Sequence, residues 1–492
     1  MTAAVPPWFR RSTDLRLQAI ARAARPDYPA WHRHVQGAAG CVRPVRLAGS
    51  MATVEAGTGR ILAETSTADM PDGILYKPCG NRRASFCPTC SQRYKRDAYQ
   101  LVRAGLVGGK GVPEHVARHP AVFPTFTAPS FGPVHTRIVR RHTCASRARC
   151  DCRPDPCRPR RADDTVWCEH GKALVCFARH TDDDTQLGTP LCLDCYDHDA
   201  QVVWNTQAGE LWRRTTIAIN RHLRRLARQR GIAPDRIRVS YGKAAEMQRR
   251  AVVHFHAILR LDGRDPADSA ATLPPPPGID AADLVDAVEH AVATVAFTTD
   301  PHPARPGGWR IAWGAQTRTR IITVAADGDV TDGMVAAYLA KYATKSTETT
   351  GHVSTRLTDD TISLYADPDG THTERLIEAC WLLGRARNWR RLRRWAHMFG
   401  FGGHFLTKSR RYTVTFTVLR DRRVDYRRSE SSGPDQSTGR HTETPTTLVV
   451  NFLQFVGAGW QTPADAMLAT TAATLARDHH HAAQQDLAAL AA

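Results

Sequence analysis

The sequence predicts an α+β protein of several domains, and three observations carry that prediction. Short stretches that alternate or run apolar at strand length, such as Val122–Thr127, Ile237–Tyr241 and Val252–Leu261, are interspersed with stretches apolar at helical spacing, such as Leu211–Gln229 and Asp332–Ser346. At 492 residues the chain is too long for one ordinary core. Of its 13 cysteines, 12 lie between Cys41 and Cys195, which marks a metal-pinned module rather than a secreted disulfide framework.

In chain order, residues 12–37 carry Leu15, Leu17, Ile20 and Ala21 at helical spacing, interrupted at Pro26. Residues Cys41–Lys95 are mixed. Tyr94–Val107 consists of good helix formers and runs into Gly105–Gly111 (GLVGGKG), whose glycine spacing and Gly111 after Lys110 break the Walker pattern and exclude ATP binding there. Val122–Thr127 is a strand. Residues 140–200 are rich in Cys, Arg, Asp and Pro, with little periodicity. Leu211–Gln229 is a basic amphipathic helix stopped at Gly231, Ile237–Tyr241 and Val252–Leu261 are strands, and Leu273–Gly278, with four consecutive prolines, is a stiff linker. Ala281–Thr298 is a helix, Trp309–Val324 one or two strands, Asp332–Ser346 a helix, Ile377–Phe399 a basic helix and Tyr412–Leu419 a strand. Residues 425–445 are polar and turn-rich, which predicts disorder, and an Ala-rich helix follows Pro463.

Lys plus Arg number 67 against 48 acids, a net charge of +19 and a pI near 9.7, which points to a polyanionic partner, most simply nucleic acid. Only 8 of the 67 are Lys, so an arginine bias contributes to that figure. No apolar run reaches the roughly 18 residues of a membrane span, and Met1–Arg11 lacks a signal-peptide core. A cytoplasmic protein is expected.

Chemistry concentrates in two places. In Val252–Leu259 (VVHFHAIL), His254 and His256 stand two apart and share one face of a strand, with Val253, Phe255 and Ala257 on the other. In Ala337–Lys345 (AYLAKYATK), Tyr338 and Tyr342 lie one helical turn apart, with Lys341 and Lys345 on the adjoining edge. Each motif alone also fits ordinary packing. Together, His-hydrophobic-His followed by Tyr-x-x-Lys-Tyr resembles the HUH endonucleases, in the motif order of rolling-circle replication initiators, and Phe123–Thr127 (FPTFT) looks like that superfamily's first strand motif. The resemblance extends to initiators of actinobacterial plasmids and integrative conjugative elements through Cys79–Arg83 (CGNRR), Cys87–Cys90 (CPTC), Glu210–Thr215 (ELWRRT) and Gly403–Tyr412 (GHFLTKSRRY), and it spans roughly residues 40–425.

The resemblance implies a central antiparallel sheet with flanking helices and zinc-stabilised Cys-rich segments. It implies site- and strand-specific nicking and rejoining of single-stranded or hairpin origin DNA, with a host helicase and polymerase as partners. His254 and His256 are expected to hold Mg²⁺ or Mn²⁺ with an oxygen ligand, Glu246 in preference to Gln248. Tyr342 is the expected nucleophile, Tyr338 the second or alternative one, and Lys341 a cation for the phenolate. The expected divisions are 1–115 (helical and Cys-rich zinc segment), 116–140 (first catalytic strand), 141–205 (Cys-rich zinc insertion), 206–350 (catalytic core), 351–424 (basic extension) and 425–492 (polar linker and tail helix). An HUH transposase, or a zinc-dependent DNA-binding regulator without chemistry, are the competing readings.

Cys41, Cys79, Cys87 and Cys90 supply four thiolates for a structural zinc. Cys192 and Cys195, with Cys168, His170 and Cys176, supply a second set, and Cys144, Cys150, Cys152 and Cys157 are candidates for a third. Arg390, Arg391 and Arg394 interleave with Trp389 and Trp395, and Lys408, Arg410, Arg411 and Tyr412 follow. This mixture of cations and rings predicts a DNA-contacting surface.

Overall fold

A computed structural model describes residues 14–136, 166–176, 180, 184–268, 270–322, 332–344, 355–431 and 447–475. The candidate cysteines 144–157 and Lys345 lie outside these residues. The chain forms two units, Met1–Arg96 with Arg420–Ala492, and Asp97–Leu419.

The first unit begins with α1 (Leu15–Ala23), capped by the Asp14 carboxylate on the Arg16 N–H, and α2 (Tyr28–Val35). It is built on β1 (Val45–Glu55), which pairs antiparallel with β2 (Ile61–Ser66), with β3 (Leu75–Lys77) and, on its other edge, with a strand from far along the chain, Thr447–Ala458. That late strand crosses β1 so closely that a Cβ at Gly49 would lie 2.1 Å from the carbonyl oxygen of Phe452, so only glycine fits. None of β1–β3 is evident in the sequence, because β1 is partly exposed along almost its whole length and lacks a period-two apolar pattern. Trp31, Val35, Tyr76 and Ala469 form a small core, with Tyr76 stacked on Trp460.

From α3 (Pro88–Val107) the chain passes into the second unit, whose centre is an all-antiparallel five-stranded sheet. Its strands are β4 (Ala121–Phe126), β5 (Ile237–Met247), β6 (Val253–Gly263), β9 (Arg318–Ile321) and β10 (Leu406–Lys408), in the order β10-β5-β6-β4-β9. A small hairpin of β7 (Ala296–Thr298) and β8 (Arg310–Ala312) stands apart. On one face, Val253, Phe255, Ala257, Leu259 and Leu261 of β6 join a large core with α4 (His198–Gln229), α5 (Ala281–Thr294) and α7 (His372–Leu383). On the other, Ala244 and Ile258 meet Val102 and Leu106 of α3 and Val335, Ala336 and Leu339 of α6 (Asp332–Ala343).

Several sequence expectations need correction. The strand expected at Ile237–Tyr241 runs on to Met247 and so carries Glu246. The helix expected over Ala281–Thr298 stops at Thr294 and gives way to β7. The single basic helix expected over Ile377–Phe399 breaks: α7 ends at Leu383, and short turns plus α8 (Arg391–Arg394) follow. Gly384 sits where a Cβ would lie 2.5 Å from Arg393 Cγ, so the chain folds back on itself there and brings Trp389, Leu392 and Ala396 into the same core. The strand expected over Tyr412–Leu419 is instead a turn followed by α9 (Phe416–Ser431), which also replaces the first part of the disorder expected from residue 425. Tyr412 is buried, its ring fills the space left by Gly105 and Gly242, and its hydroxyl donates to the Val102 carbonyl at 3.0 Å.

Candidate active site and metal centres

Register builds the site. Antiparallel pairing sets Glu246 opposite His254 and both Ala244 and Thr125 opposite His256, so side chains from three strands share one face of the sheet. The helix α6 lies over that face and adds Tyr338 and Tyr342. His256 is the hub: its ring centroid is 4.9 Å from Tyr338, 5.0 Å from Tyr342 and 4.7 Å from His254. Phe123 stacks on His256 and meets Tyr338 edge-on. The two tyrosine rings are 4.5 Å apart.

Hydrogen bonds orient the imidazoles. Nδ1 of His256 lies 3.3 Å from the Thr125 hydroxyl, and its Nε2 lies 3.1 Å from Oε2 of Glu246. Nδ1 of His254 lies 2.8 Å from the Gln248 amide, whose oxygen accepts from Arg250 Nε at 3.0 Å. Nε2 of His254 is buried with no hydrogen-bond partner. Burial, reinforced by His256 and Arg250, pushes His254 down to about 3, so it is neutral at physiological pH. Burial raises both tyrosines.

Of the two oxygen candidates, Glu246 reaches His256 and Gln248 reaches His254. The ligand atoms of His254, His256 and Glu246 do not converge as tightly as those of the cysteine clusters below. Lys341 is exposed, with Nζ 5.9 Å from the Tyr342 ring centroid.

A cavity of about 290 Å³ opens beside Tyr338, lined by Phe123, Thr125, Arg318, Arg320 and Met334. Arg318 and Arg320 lie opposite Thr125 and Phe123 across the β4–β9 ladder and so share the site face. Sequence reasoning passed over them. Their signal was the alternating Arg318-Thr319-Arg320, which in a strand sends both guanidinium groups to one side.

The expected DNA surface divides. Arg390, Arg391 and Arg394 are exposed, but on the helical layer that packs against the opposite face of the sheet. Lys408 pairs with Gly242 on the histidine face, and Arg410 and Arg411 follow it. Trp389 and Tyr412 are buried, so neither ring is available to stack on a base.

Among the described residues, three clusters of Cys and His could hold a metal such as zinc. Cys41, Cys79, Cys87 and Cys90 meet where the CxxC enters the first turn of α3. A hydrogen bond with Cys41 holds the Cys90 thiol down at about 5, against burial. Cys168, His170, Cys192 and Cys195 form the second, just ahead of the Asp197 cap of α4. Cys176, expected in that second set, sits instead with His135 and His180. The fold brings His135 in from far along the chain, which cysteine spacing alone does not reveal.

Comparison with known proteins gives the class. A replication initiator protein of Streptomyces ambofaciens is 38% identical over 462 residues, covering 92% of this chain and 91% of that protein. The family model RepSA, described as replication initiator protein, pSAM2, matches residues 27–474. The chain therefore belongs to the RepSA family of replication initiator proteins. No solved structure matches it. No helix among the described residues is long and apolar enough to cross a membrane.

Proposed function

We propose that this initiator nicks and rejoins single-stranded origin DNA in rolling-circle replication, as an HUH endonuclease that passes through a phosphotyrosine intermediate. The observation that carries this reading is the meeting of His254, His256 and Glu246 on adjacent strands with Tyr338 and Tyr342 on the helix above them.

The Tyr342 oxygen attacks the scissile phosphorus. A Tyr–O–P bond forms, the P–O bond to the 3′ oxygen breaks, and the tyrosine proton leaves as the 3′ oxygen gains one, freeing a 3′-OH. Rejoining is the reverse, with a 3′-OH attacking the phosphotyrosine. Bond energy is kept throughout, so no ATP is required. The orphaned Nε2 of His254, together with His256 and Glu246, offers a nitrogen and oxygen donor set that fits Mg²⁺ or Mn²⁺. Such an ion, when bound, withdraws charge from the non-bridging phosphate oxygens. Binding through Nε2 requires a proton on Nδ1 of His254, so the Gln248 amide must turn its oxygen toward that ring. Tyr338, its ring 4.5 Å from that of Tyr342, stands ready for the second transfer. Arg318, Arg320 and Lys408 supply positive charge on the same face for the flanking phosphates. The four-thiolate cluster and the Cys168, His170, Cys192 and Cys195 cluster hold structural zinc.

Incubation with a suicide single-stranded origin oligonucleotide, whose segment 5′ of the nick is short enough to dissociate with the freed 3′-OH and so prevent rejoining, with Mg²⁺ present, tests this. The parent protein traps a covalent DNA adduct, Tyr342→Phe loses it, and Tyr338→Phe forms it but is slowed in the second transfer. An adduct that survives in the Tyr338→Phe, Tyr342→Phe double variant would refute the assignment of α6 as the nucleophile helix.

A further inference from the structure

We propose that His135, Cys176 and His180 form a metal site of their own that takes a zinc-type divalent ion. Its three ligand atoms form a closed triangle. Nδ1 of His135 lies 3.1 Å from Nε2 of His180, and the Cys176 sulfur lies 3.4 Å from the first and 3.2 Å from the second. Around a tetrahedral zinc, with bonds of about 2.0–2.1 Å to nitrogen and about 2.3 Å to sulfur, the corresponding edges are roughly 3.3 Å and 3.6 Å. The observed triangle matches these within a few tenths of an ångström.

The surroundings are those of a ligand set. Nδ1 of His180 lies 2.7 Å from the Asp184 carboxylate, to which it donates, so the lone pair of His180 is on Nε2, the atom aimed into the triangle. A carboxylate behind a ligating imidazole is how metal sites fix the ring and raise its basicity. His135 is held by its backbone: its N–H donates to the Thr189 carbonyl at 2.9 Å, and its own carbonyl accepts from the Gly188 N–H at 2.7 Å. A thiolate with two imidazoles selects a borderline-soft ion such as Zn²⁺ over Mg²⁺ or Ca²⁺.

The position of the site gives the ion a task. The Asp184 carbonyl accepts from Arg249 at 2.8 Å, and Gly188, at φ +90°, packs where a Cβ would lie 3.1 Å from the Arg249 side chain. The ion would fasten His135 to Cys176 and His180, and residues 184–189, which bond to both histidines, carry that anchorage to the turn Gln248–Arg250 that leads into His254. Those same residues wall a groove of about 540 Å³ that also takes in Thr127 and Gln316.

Zinc content of the full-length protein by elemental mass spectrometry tests the site directly. Cys176→Ser and His180→Ala are each expected to bind one zinc fewer per chain than the parent, whatever number the other clusters hold, and His180→Cys to restore it. Cys176 in the parent, mapped by alkylation and peptide mass spectrometry, is expected to resist modification until a zinc chelator is added. Equal zinc in parent, Cys176→Ser and His180→Ala overturns the proposal. So does ready alkylation of Cys176 in the native parent without chelator, a result that does not depend on any variant folding.

Discussion

The two faces of β6, the central strand of the five-stranded sheet, are almost equally buried and differ in chemistry. Along β6, Val253, Phe255, Ala257, Leu259 and Leu261 alternate with His254, His256, Ile258, Arg260 and Asp262, and every one of these residues is at least nine-tenths shielded from solvent. The apolar side is stabilised by area removed from water. On the other side Ile258 joins a smaller apolar cluster, and the polar groups are tolerated there because they are paired. Arg260 and Asp262 form a buried ion pair that also holds His119, Arg260 donates to the Gly105 carbonyl, and Thr125 and Glu246 occupy the two nitrogens of His256. Nε2 of His254 breaks this pattern as the unpaired side-chain atom on β6 among the described residues, and its ring stands beside that of His256, which meets both tyrosines. Satisfaction, rather than burial, separates scaffold from site.

Three variants sharpen or break that contrast. The largest effect is expected on the polar face: His254→Ala with His256→Ala should lower nicking by about four orders of magnitude, roughly 5 kcal/mol of barrier, while origin affinity in a filter or anisotropy assay stays near the parent value. Parent-level nicking by this variant in Mg²⁺ would remove the reaction from this face. Phe255→Ala, one residue away on the apolar face, should cost about 3–5 kcal/mol of unfolding free energy in a denaturant titration, with adduct formation per folded molecule largely kept. A cost below about 1 kcal/mol would erase the difference between the faces.

The smallest effect concerns Lys243, a cation on the apolar side. Its Nζ lies 3.6 Å from the Phe255 ring centroid and 5.2 Å from that of Trp212, and burial pushes it down to about 7 from 10.5. Between pH 7 and 10.5 the unfolded chain binds a proton that the folded chain releases, so stability rises with pH across that window and is lowest below it. Lys243→Met is expected to raise stability by on the order of 2 kcal/mol at pH 6–7 and by progressively less toward pH 10, the ring contacts having offset part of the burial cost. Thermal melts across that range, with an unchanged pH slope in the variant, would contradict the assignment.

Much of the second unit was legible because its signals are local. Period two along Val252–Leu259 set the histidines on one face, and a spacing of four set Tyr338 and Tyr342 on another. Where partners are remote the sequence is silent. His135 reaches Cys176 from 41 residues away, so cysteine spacing grouped Cys176 with the wrong neighbours. The arginines at 390–394 stood out by composition, yet those on the site face, Arg318 and Arg320, belong to a four-residue edge strand with too short a pattern to register. Lys243 resembles any surface lysine until Trp212 and Phe255 are seen around it.

The pairing of β1 with Thr447–Ala458 has a consequence for how the protein is made. A ribosome adding about 5–20 residues per second spends roughly 20–80 s between finishing β1 and delivering its last partner. During that interval the second unit, whose residues run without interruption from 97 to 419, can emerge and fold by itself. Meanwhile β1 waits in the nascent chain with one whole edge of backbone N–H and C=O groups unpaired, an open template for any extended segment nearby. Birth order and spatial order are thus reversed, and the amino-terminal unit, first to be synthesised, is the last to be completed.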